Sequence, residues 1–584
     1  MPDGTAAPSR RNAVLARLPS LIGEIGLAGL RLLRAAWDGE WYGSPLHGQL
    51  LNWPTPKGIA ARPRDFRPAD PIKGRAILRG DFDLGGSVLQ LGPNGDPWDR
   101  PTPTYRLAQA LHRYDWIRDL LADTAQGPAQ ALRLHMQWRL LFRSWNSFSW
   151  SPAILERRVF NLACALGPLA AGASDAEIAG MTLDLARQAR HLLTLSKAPD
   201  RAAERAAVVA VAACALAGRP GEKLGKAAIA RLELLLPRTV LPDGVHASRS
   251  PQAGLELLFD LLTLDDVLSQ RGLEPPPILT RAIDRLSNAV RFFTLSDGHL
   301  ASFQGGQSVR AARIAAALAQ DSGMASPPDA VPLSGYHRLI GEGLLVMVDA
   351  GAPAQGDFSV LACAQPFAIE VVCGRDRLIT NSGWSPDGAA PPAFRLVDAA
   401  STLALGESSV GEPLSGLSAA LLGPCLVGAP RQVMARCHDG PEGTWLDLSH
   451  DAWGPRFGLR HVRRLFLDRV QNQLRGEDRL DLIGTKPRTT KSARPRHLPF
   501  AVRFHLHPDA RASLARDQKS VLIRGPSNQG WWLRSDAPEV LIDPSFHFAD
   551  GTPRSSSQVV LMGRARSDIG GRVRWKLALA DAGT

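Results

Sequence analysis

The hydrophobic periodicity of the chain changes once, and this change restricts the folds that the chain can adopt. From about residue 101 to residue 325, apolar residues recur at i, i+3, i+4 and i+7 in successive segments, as expected for amphipathic helices. After the segment SGMASPPDAVPL, apolar residues fall in short alternating or β-branched runs bounded by Gly, Pro and Asp. This order predicts an α+β chain, in which paired helices precede a large antiparallel β-sandwich.

The length of the chain predicts more than one domain, because 584 residues exceed what a single ordinary core contains. We expect a mixed region over 1–100, a helical toroid over 101–330 and a β-sandwich over 331–584. The N-terminal stretch SLIGEIGLAGLRLLRAAW has helical periodicity but is interrupted by Glu24 and Arg31. It predicts an amphipathic helix, with neither a transmembrane segment nor an ordinary signal peptide.

The charge of the chain favours an acidic partner. Its formal net charge is +12, carried by 59 arginines and only nine lysines, and such a balance is compatible with binding an acidic polymer. No dense basic run and no nucleic-acid motif is present, so nucleic acid is not expected as a partner. The six cysteines are scattered without a CxxC spacing and are interpreted as isolated buried thiols.

The stretch Leu241–Gln252, LPDGVHASRSPQ, predicts a helix end, a polar surface loop and a new helix that begins at Ser250-Pro251. His246 is a candidate general base, and Arg249 is a candidate for binding a carboxylate through two parallel hydrogen bonds. Gln252 is a candidate for orienting a substrate. The alternative is structural, in which His246 and Arg249 order the loop or cap the next helix.

A second candidate site is the aromatic segment RSWNSFSW. Aromatic rings line many sugar-binding clefts because they stack on the apolar faces of sugars. Trp145, Asn146 and Trp150 are therefore candidates for substrate binding. The same spacing also fits an ordinary hydrophobic core.

The loop after Leu241 resembles the DGG-x-x-E-R-S-P-x-Y-H loop of the heparinase II/III-like polysaccharide lyases. The matching residues are Asp243, Gly244, Arg249, Ser250 and Pro251. Ser248, Ala253 and Gly254 depart from the pattern, since they stand where many members have Glu, the acid/base Tyr and His. The resemblance implies an incomplete toroid and a β-sandwich with the active cleft between them.

The same resemblance implies a place for a metal ion in the sandwich. Where zinc occurs in the family, it is held by His and Asp residues, and here Cys363, Asn381 and Ala400 stand at those positions. Zinc needs about four N, S or O donors. We therefore expect no metal and no cofactor. His505 and His507 lie two apart on a strand and are interpreted as packing residues.

The resemblance also implies an activity, which is β-elimination of an acidic, uronic-acid-containing polysaccharide. The alternative is a catalytically degenerate relative that binds an acidic glycan in an envelope or capsule role. A hydrolase that uses Glu477 and Asp478 is disfavoured, because adjacent strand residues point to opposite faces. The family resemblance implies the cell envelope or periplasm, whereas the lack of an evident signal peptide favours the cytoplasm.

Overall fold

A computed structural model describes residues 36–123, 125–195, 199–320, 331–388, 390–484, 495–549 and 551–580. Most of the predicted N-terminal amphipathic helix lies outside the described residues. Among the residues that are described, no helix is both long enough and apolar enough to cross a membrane.

The first half of the described chain is helical. Its α-helices are α1 (Pro45–Asn52), α2 (Pro71–Leu78), α3 (Tyr105–Arg113), α4 (Ile117–Leu121), α5 (Gly127–Phe142), α6 (Pro152–Ala170), α7 (Asp175–Thr194), α8 (Ala202–Ala215), α9 (Arg219–Thr239), α10 (Pro251–Gln270), α11 (Pro277–Phe293) and α12 (Ala311–Leu318). The helix starts follow from local sequence. Ser174 and Glu177 form a capping box on α7, while Ser250 caps α10 and Pro251 occupies its first turn.

The core of the helical toroid forms around α8, whose residues Ala203–Ala215 are all buried. A helix that is apolar on every side must be surrounded by others, and α8 contacts α6, α7, α9 and α10. The predicted mixed region shares this core through Leu51, Ile77 and Phe82. Its strand-like segment forms a hairpin of β1 (Asp81–Leu84) and β2 (Ser87–Gln90).

The second half of the chain is a β-sandwich of two eight-stranded antiparallel sheets. The first sheet contains β3 (Tyr336–Ile340), β4 (Leu344–Asp349), β5 (Ile369–Cys373), β6 (Asp376–Thr380), β7 (Leu403–Leu405), β14 (His497–Leu506), β18 (Glu539–Ala549) and β19 (Thr552–Arg566). The second contains, in spatial order, β10 (Val433–Gly440), β11 (Gly443–His450), β12 (Leu459–Asp468), β13 (Gln473–Leu482), β20 (Gly571–Leu579), β17 (Gly530–Ser535), β16 (Ser520–Arg524) and β15 (Arg511–Leu514). Smaller elements in this half are β8 (Glu412–Pro413), β9 (Leu426–Val427), α13 (Gly416–Leu422) and α14 (Gly454–Phe457).

The molecule is layered as toroid, first sheet and second sheet. Tyr336, Leu345 and Met347 of the first sheet belong to the same hydrophobic core as the toroid helices. The other face of the first sheet packs against the second sheet, and leucines and valines fill the space between them. The predicted fold class is confirmed, with helices first and an antiparallel sandwich afterward. The domain limits within it stay a prediction.

Candidate functional site

A cavity of about 440 Å³ lies where the toroid meets loops of the sandwich. Its volume is in the range of ligand-binding sites, roughly 300–1,000 Å³. Eight basic residues line it, namely Arg67, Lys73, Arg106, Arg113, Arg118, Arg157, Arg201 and Arg313. Four acidic residues line it, namely Asp83, Asp115, Glu256 and Asp387. The cleft therefore has an excess of positive charge.

Most of the cleft arginines are held in place by carboxylates. Glu256 accepts from Arg67, 2.9 Å away, and from Arg313. Burial alone would raise the pKa of Glu256, but these two guanidinium groups hold it well below its usual range. Arg113 donates to Asp387 across 2.6 Å and so joins the toroid to a sandwich loop. These ion pairs fix the guanidinium groups around the cavity before any ligand arrives.

Two of the lining cations, Lys73 and Arg106, make no ion pair with the described residues. Lys73 lies on α2, and Arg106 lies in the first turn of α3. Both positive charges are available to an anionic ligand. A charge of this kind inside a cleft attracts oppositely charged ligands more strongly than one on an open surface, because the low-dielectric walls concentrate the field.

Asp115 is the unusual acid of the cleft. It follows Tyr114, the left-handed residue that ends α3, and its carboxylate makes no hydrogen bond or ion pair with the described residues. Burial raises the pKa of Asp115, although the nearby charge of Arg113 opposes the shift. Beside it, the Nδ2 atom of Asn161 donates to the backbone carbonyl of Arg113. Asp115 is therefore the cleft carboxylate best suited to accept a proton.

The structure corrects the expectation that the loop containing His246 and Arg249 lies at the surface. His246 is buried, with Nδ1 2.7 Å from the hydroxyl of Ser248 and Nε2 3.4 Å from Glu204. The 3-10 helix Gly356–Val360 of the sandwich covers it through Phe358, whose ring packs edge-on against the imidazole. Polar residues predicted an exposed loop, but the second half of the chain folds over them.

Arg249 is buried as well, and its guanidinium group is occupied. It donates to Asp349 and to the backbone carbonyls of Ser334 and Ala352, and it stacks on the Tyr336 ring. A ligand carboxylate would have to displace Asp349 to reach it. Neither Arg249 nor His246 lines the cleft, so these contacts correspond to the structural alternative; their catalytic assignment stays a prediction.

The predicted substrate-binding residues separate into two places. Gln252 lines the cleft, and its side-chain oxygen accepts from the backbone N–H of Gln307 at 2.9 Å. Trp145, Asn146 and Trp150 lie outside the lining. Asn146 closes a turn with Ser149, while the Trp150 indole is buried and donates to the carbonyl of Phe142. Trp145 packs near Tyr42.

A buried hydrogen-bond network occupies the sandwich region that includes Asn381. Glu370 accepts from Ser302 of the toroid, from Thr380 at the end of β6 and from Asn381, which follows β6. Asn381 in turn accepts from the backbone N–H of Ser401, next to Ala400. Across the described residues there is no cluster of three or more His, Cys, Asp or Glu side chains that could hold a metal ion.

The residues that sequence reasoning missed are the cleft cations and Asp115. They come from α2, α3, α4, α6, α12, the 3-10 helix Pro199–Arg201 and the loops beside them, which are separate in sequence and converge only in the folded toroid. Their one signal in sequence was the excess of arginine over lysine. Because this excess is a property of the overall composition, it did not single out Arg106 or Arg113.

Comparison with known proteins agrees with this architecture. Residues 323–576 match the family described as "Heparinase II/III-like, C-terminal". The fold resembles that of the crystal structure of heparinase III, with a TM-score of 0.68, 13% sequence identity, and coverage of 95% of this chain and 92% of that one. The chain belongs to the heparinase II/III-like family. The structure of the heparan sulfate lyase HepC mutant from Pedobacter heparinus shares the fold, with a TM-score of 0.56, 15% identity, and coverage of 92% of this chain and 88% of that one.

A second relative has much higher sequence identity to this chain than the heparinase structures do, and its name does not refer to a lyase. FtsZ-localized protein C of Caulobacter vibrioides (strain NA1000 / CB15N) is 55% identical over 544 residues, which are 93% of this chain and 94% of the relative. That relative is named for localisation with FtsZ and not for a lyase activity, and this chain is similar to it over nearly its full length.

Proposed function

We propose that this heparinase II/III-like protein binds an acidic polysaccharide in its arginine-lined cleft without cleaving it, and that it acts at the division site together with FtsZ. The observation that carries the proposal is the composition of the cleft. Eight basic and four acidic residues line it, and the lining residues that the structure describes include neither a tyrosine nor a histidine.

The lack of these two residue types bears directly on β-elimination. The reaction needs a group that neutralises the carboxylate of the sugar, a base that removes the adjacent proton and an acid that protonates the leaving oxygen. The cleft arginines supply the first function, since a guanidinium binds a carboxylate through two hydrogen bonds. An arginine supplies neither proton transfer, because its guanidinium stays charged. The cleft is therefore equipped to bind a uronate more than to cleave it.

The cellular part of the proposal is supported by the Caulobacter relative. Identity of 55% across 93% of this chain makes a shared cellular context the simplest inference. A fluorescent fusion of this protein should form a band that coincides with labelled FtsZ and disperses when FtsZ is depleted. A fusion that stays dispersed in dividing cells would contradict this part of the proposal and leave the cleft chemistry untouched.

The binding part is tested by titrating the full chain with a polyuronate. Arg106→Glu places a negative charge at an unpaired cleft cation, so affinity should fall about tenfold, and wild-type affinity should weaken as salt rises. Arg231→Glu changes an exposed arginine of α9 away from the cleft and should leave affinity unchanged. If the wild type and Arg106→Glu bind the polyuronate with equal affinity, the cleft is not the binding site.

Asp115 favours a second candidate function, which is a lyase with an unusual base. A carboxylate with a raised pKa can abstract a proton once a guanidinium has made that proton acidic. In that case the wild type generates unsaturated uronate products. Asp115→Asn then lowers the turnover rate by about 10²–10⁴-fold while the affinity for the polymer persists.

A further inference from the structure

The second sheet exposes a broad basic face on the side of the molecule opposite the toroid. Outward positions alternate along its strands, as the burial pattern of β20 shows. On the strands other than the edge strand β10, ten of these outward residues are basic, and four are acidic. We call this set the outer basic face: Arg460, Arg464, Arg475, Arg479, Arg511, Arg524, Arg534, Arg572, Arg574 and Lys576, with Asp447, Asp468, Glu477 and Asp481.

Several of these cations face one another across the strands. Arg475 and Arg534 are the register partners of Lys576 on either side of β20. Arg511 is likewise opposite Arg524. Like charges directly opposite each other destabilise a sheet. The repulsion between these opposed cations is therefore reduced when an anionic partner lies over them.

Half of the outer basic face has no internal counter-charge. Five of its ten cations are in ion pairs, namely Arg460 with Asp451, Arg464 with Asp447, Arg475 with Asp468, Arg479 with Asp481 and Arg574 with Glu477. The cations without an ion pair among the described residues are Arg511, Arg524, Arg534, Arg572 and Lys576. They lie together on β15, β16, β17 and β20. The unbalanced charge is therefore concentrated on one half of the sheet.

The composition and extent of this face are typical of a protein interface. Its eight strands span roughly 34 Å at the usual strand spacing, wider than the footprint of one polymer chain. Trp445 is 47% exposed and stacks on Phe466, and Trp532 lies beneath Arg534. Arginine and tryptophan are enriched at protein interfaces, while lysine and glutamate are depleted.

The edge of the same sheet favours a polypeptide over other polyanions. Within the part of the chain that the structure describes, β10 pairs with β11 alone, and its residues Met434 to Asp439 are all exposed. Its sequence, VMARCHDG, lacks the proline and lysine that usually protect an edge strand. Alternate N–H and C=O groups of such an edge are open to a further strand. A glycan or a lipid surface cannot provide that backbone pairing.

We propose that the outer basic face and the free edge of β10 form a docking surface for an acidic polypeptide, part of which adds to β10 as an extended strand. This surface is separated from the cleft by the first sheet, so it is independent of the ligand proposed above. The partner provides backbone hydrogen bonds at the edge and carboxylates to the unpaired cations of the face.

The free edge of β10 lies five strand spacings, roughly 24 Å, from β17. Fluorescence anisotropy of the full-length protein with a labelled peptide of alternating Glu and Val, about 24 residues long so that it can reach both, tests this proposal. The wild type should bind it, and the double variant Arg534→Glu/Lys576→Glu should bind about tenfold more weakly. Arg231→Glu/Arg238→Glu, which reverses two exposed arginines of α9, should bind like the wild type. The cleft variant Arg106→Glu should also bind like the wild type, which separates this surface from the cleft.

Two further measurements decide the chemistry of the partner. Cys437→Pro, in the middle of β10, should weaken binding of the Glu–Val peptide but not of a Glu–Gly peptide that forms no strand, with folding checked by circular dichroism. Equal binding of the Glu–Val peptide by the wild type and the Arg534→Glu/Lys576→Glu variant would overturn the proposal. Binding of a polyuronate or of anionic phospholipid vesicles, but not of the peptide, through Arg534 and Lys576 would also overturn it.

Discussion

Arg249 of the toroid and Asp349 of the first sheet form a buried ion pair, with 2.6 Å between Nη2 and Oδ1. The Asp349 carboxylate also accepts from Gln304 and from the backbone N–H of Gly351. Burial alone would lower the pKa of Arg249, but the adjacent Asp349 raises it. A residue first considered for substrate binding thus joins the two halves of the molecule.

Breaking this pair should destabilise the protein. Asp349→Asn leaves the buried Arg249 without its counter-charge, and removing one partner of a buried pair costs about 3–5 kcal/mol. The free energy of unfolding, measured by urea denaturation, should fall by that amount. Asp357→Asn, which removes a nearby acid for which no partner is found among the described residues, should change it by less than about 0.5 kcal/mol. Equal effects of the two substitutions would contradict the account.

His246→Ala should act on stability and leave ligand binding intact. Burial alone would raise the pKa of Glu204, but His246 and Arg201 lower it to about 2, so Glu204 is charged in the folded protein. Removing the imidazole leaves that buried carboxylate with less compensation, at a cost of about 1–3 kcal/mol. The urea midpoint should therefore fall, while polyuronate affinity stays at the wild-type value. If His246→Ala instead lowers the polyuronate affinity at an unchanged urea midpoint, His246 belongs to the ligand-binding site.

The sandwich core contains a buried polar chain that should be sensitive to substitution. Asp478 accepts from Arg463 through both of its oxygens, lies 2.9 Å from His461 and accepts from the indole N–H of Trp575. Asp478→Ala should cost about 3–5 kcal/mol, because it leaves the buried Arg463 uncompensated. Asp481→Ala removes a half-exposed acid of the same strand and should cost less than about 1 kcal/mol. Thermal unfolding of both variants checks the difference.

Stability should also fall as the medium becomes acidic. Burial lowers the pKa of His112, His135 and His191 to about 3, so these side chains are neutral in the folded protein at pH 5. In the unfolded chain they take up protons below about pH 6.5. Each therefore removes up to about 1.4 kcal/mol of stability per pH unit below that value. The melting temperature should be constant between pH 7 and 8 and decrease toward pH 5; a rising melting temperature would contradict this sign.

The sequence predicted the arrangement of the fold better than the site. The change in periodicity predicted helices up to about residue 325 and strands after it, and in the structure the last toroid helix ends at Leu318 and the first sandwich strand begins at Tyr336. This part succeeded because periodicity is a local property. The loop at His246 was misjudged because its cover, the segment around Phe358, lies more than one hundred residues further along the chain. Asp115 and Arg106 were missed for the same reason, since the cleft exists only after α3, α6 and the sandwich loops have packed together.

The most direct test of the central claim is prolonged incubation of a stoichiometric amount of the protein with a polyuronate, with binding and product measured in the same sample. We expect the polymer to be bound, with an affinity that Arg106→Glu lowers about tenfold, and to be recovered at its original length without the ultraviolet absorbance of an unsaturated uronate. Appearance of that absorbance with the wild type, and its loss in Asp115→Asn, would contradict a binding role and identify the protein as a lyase.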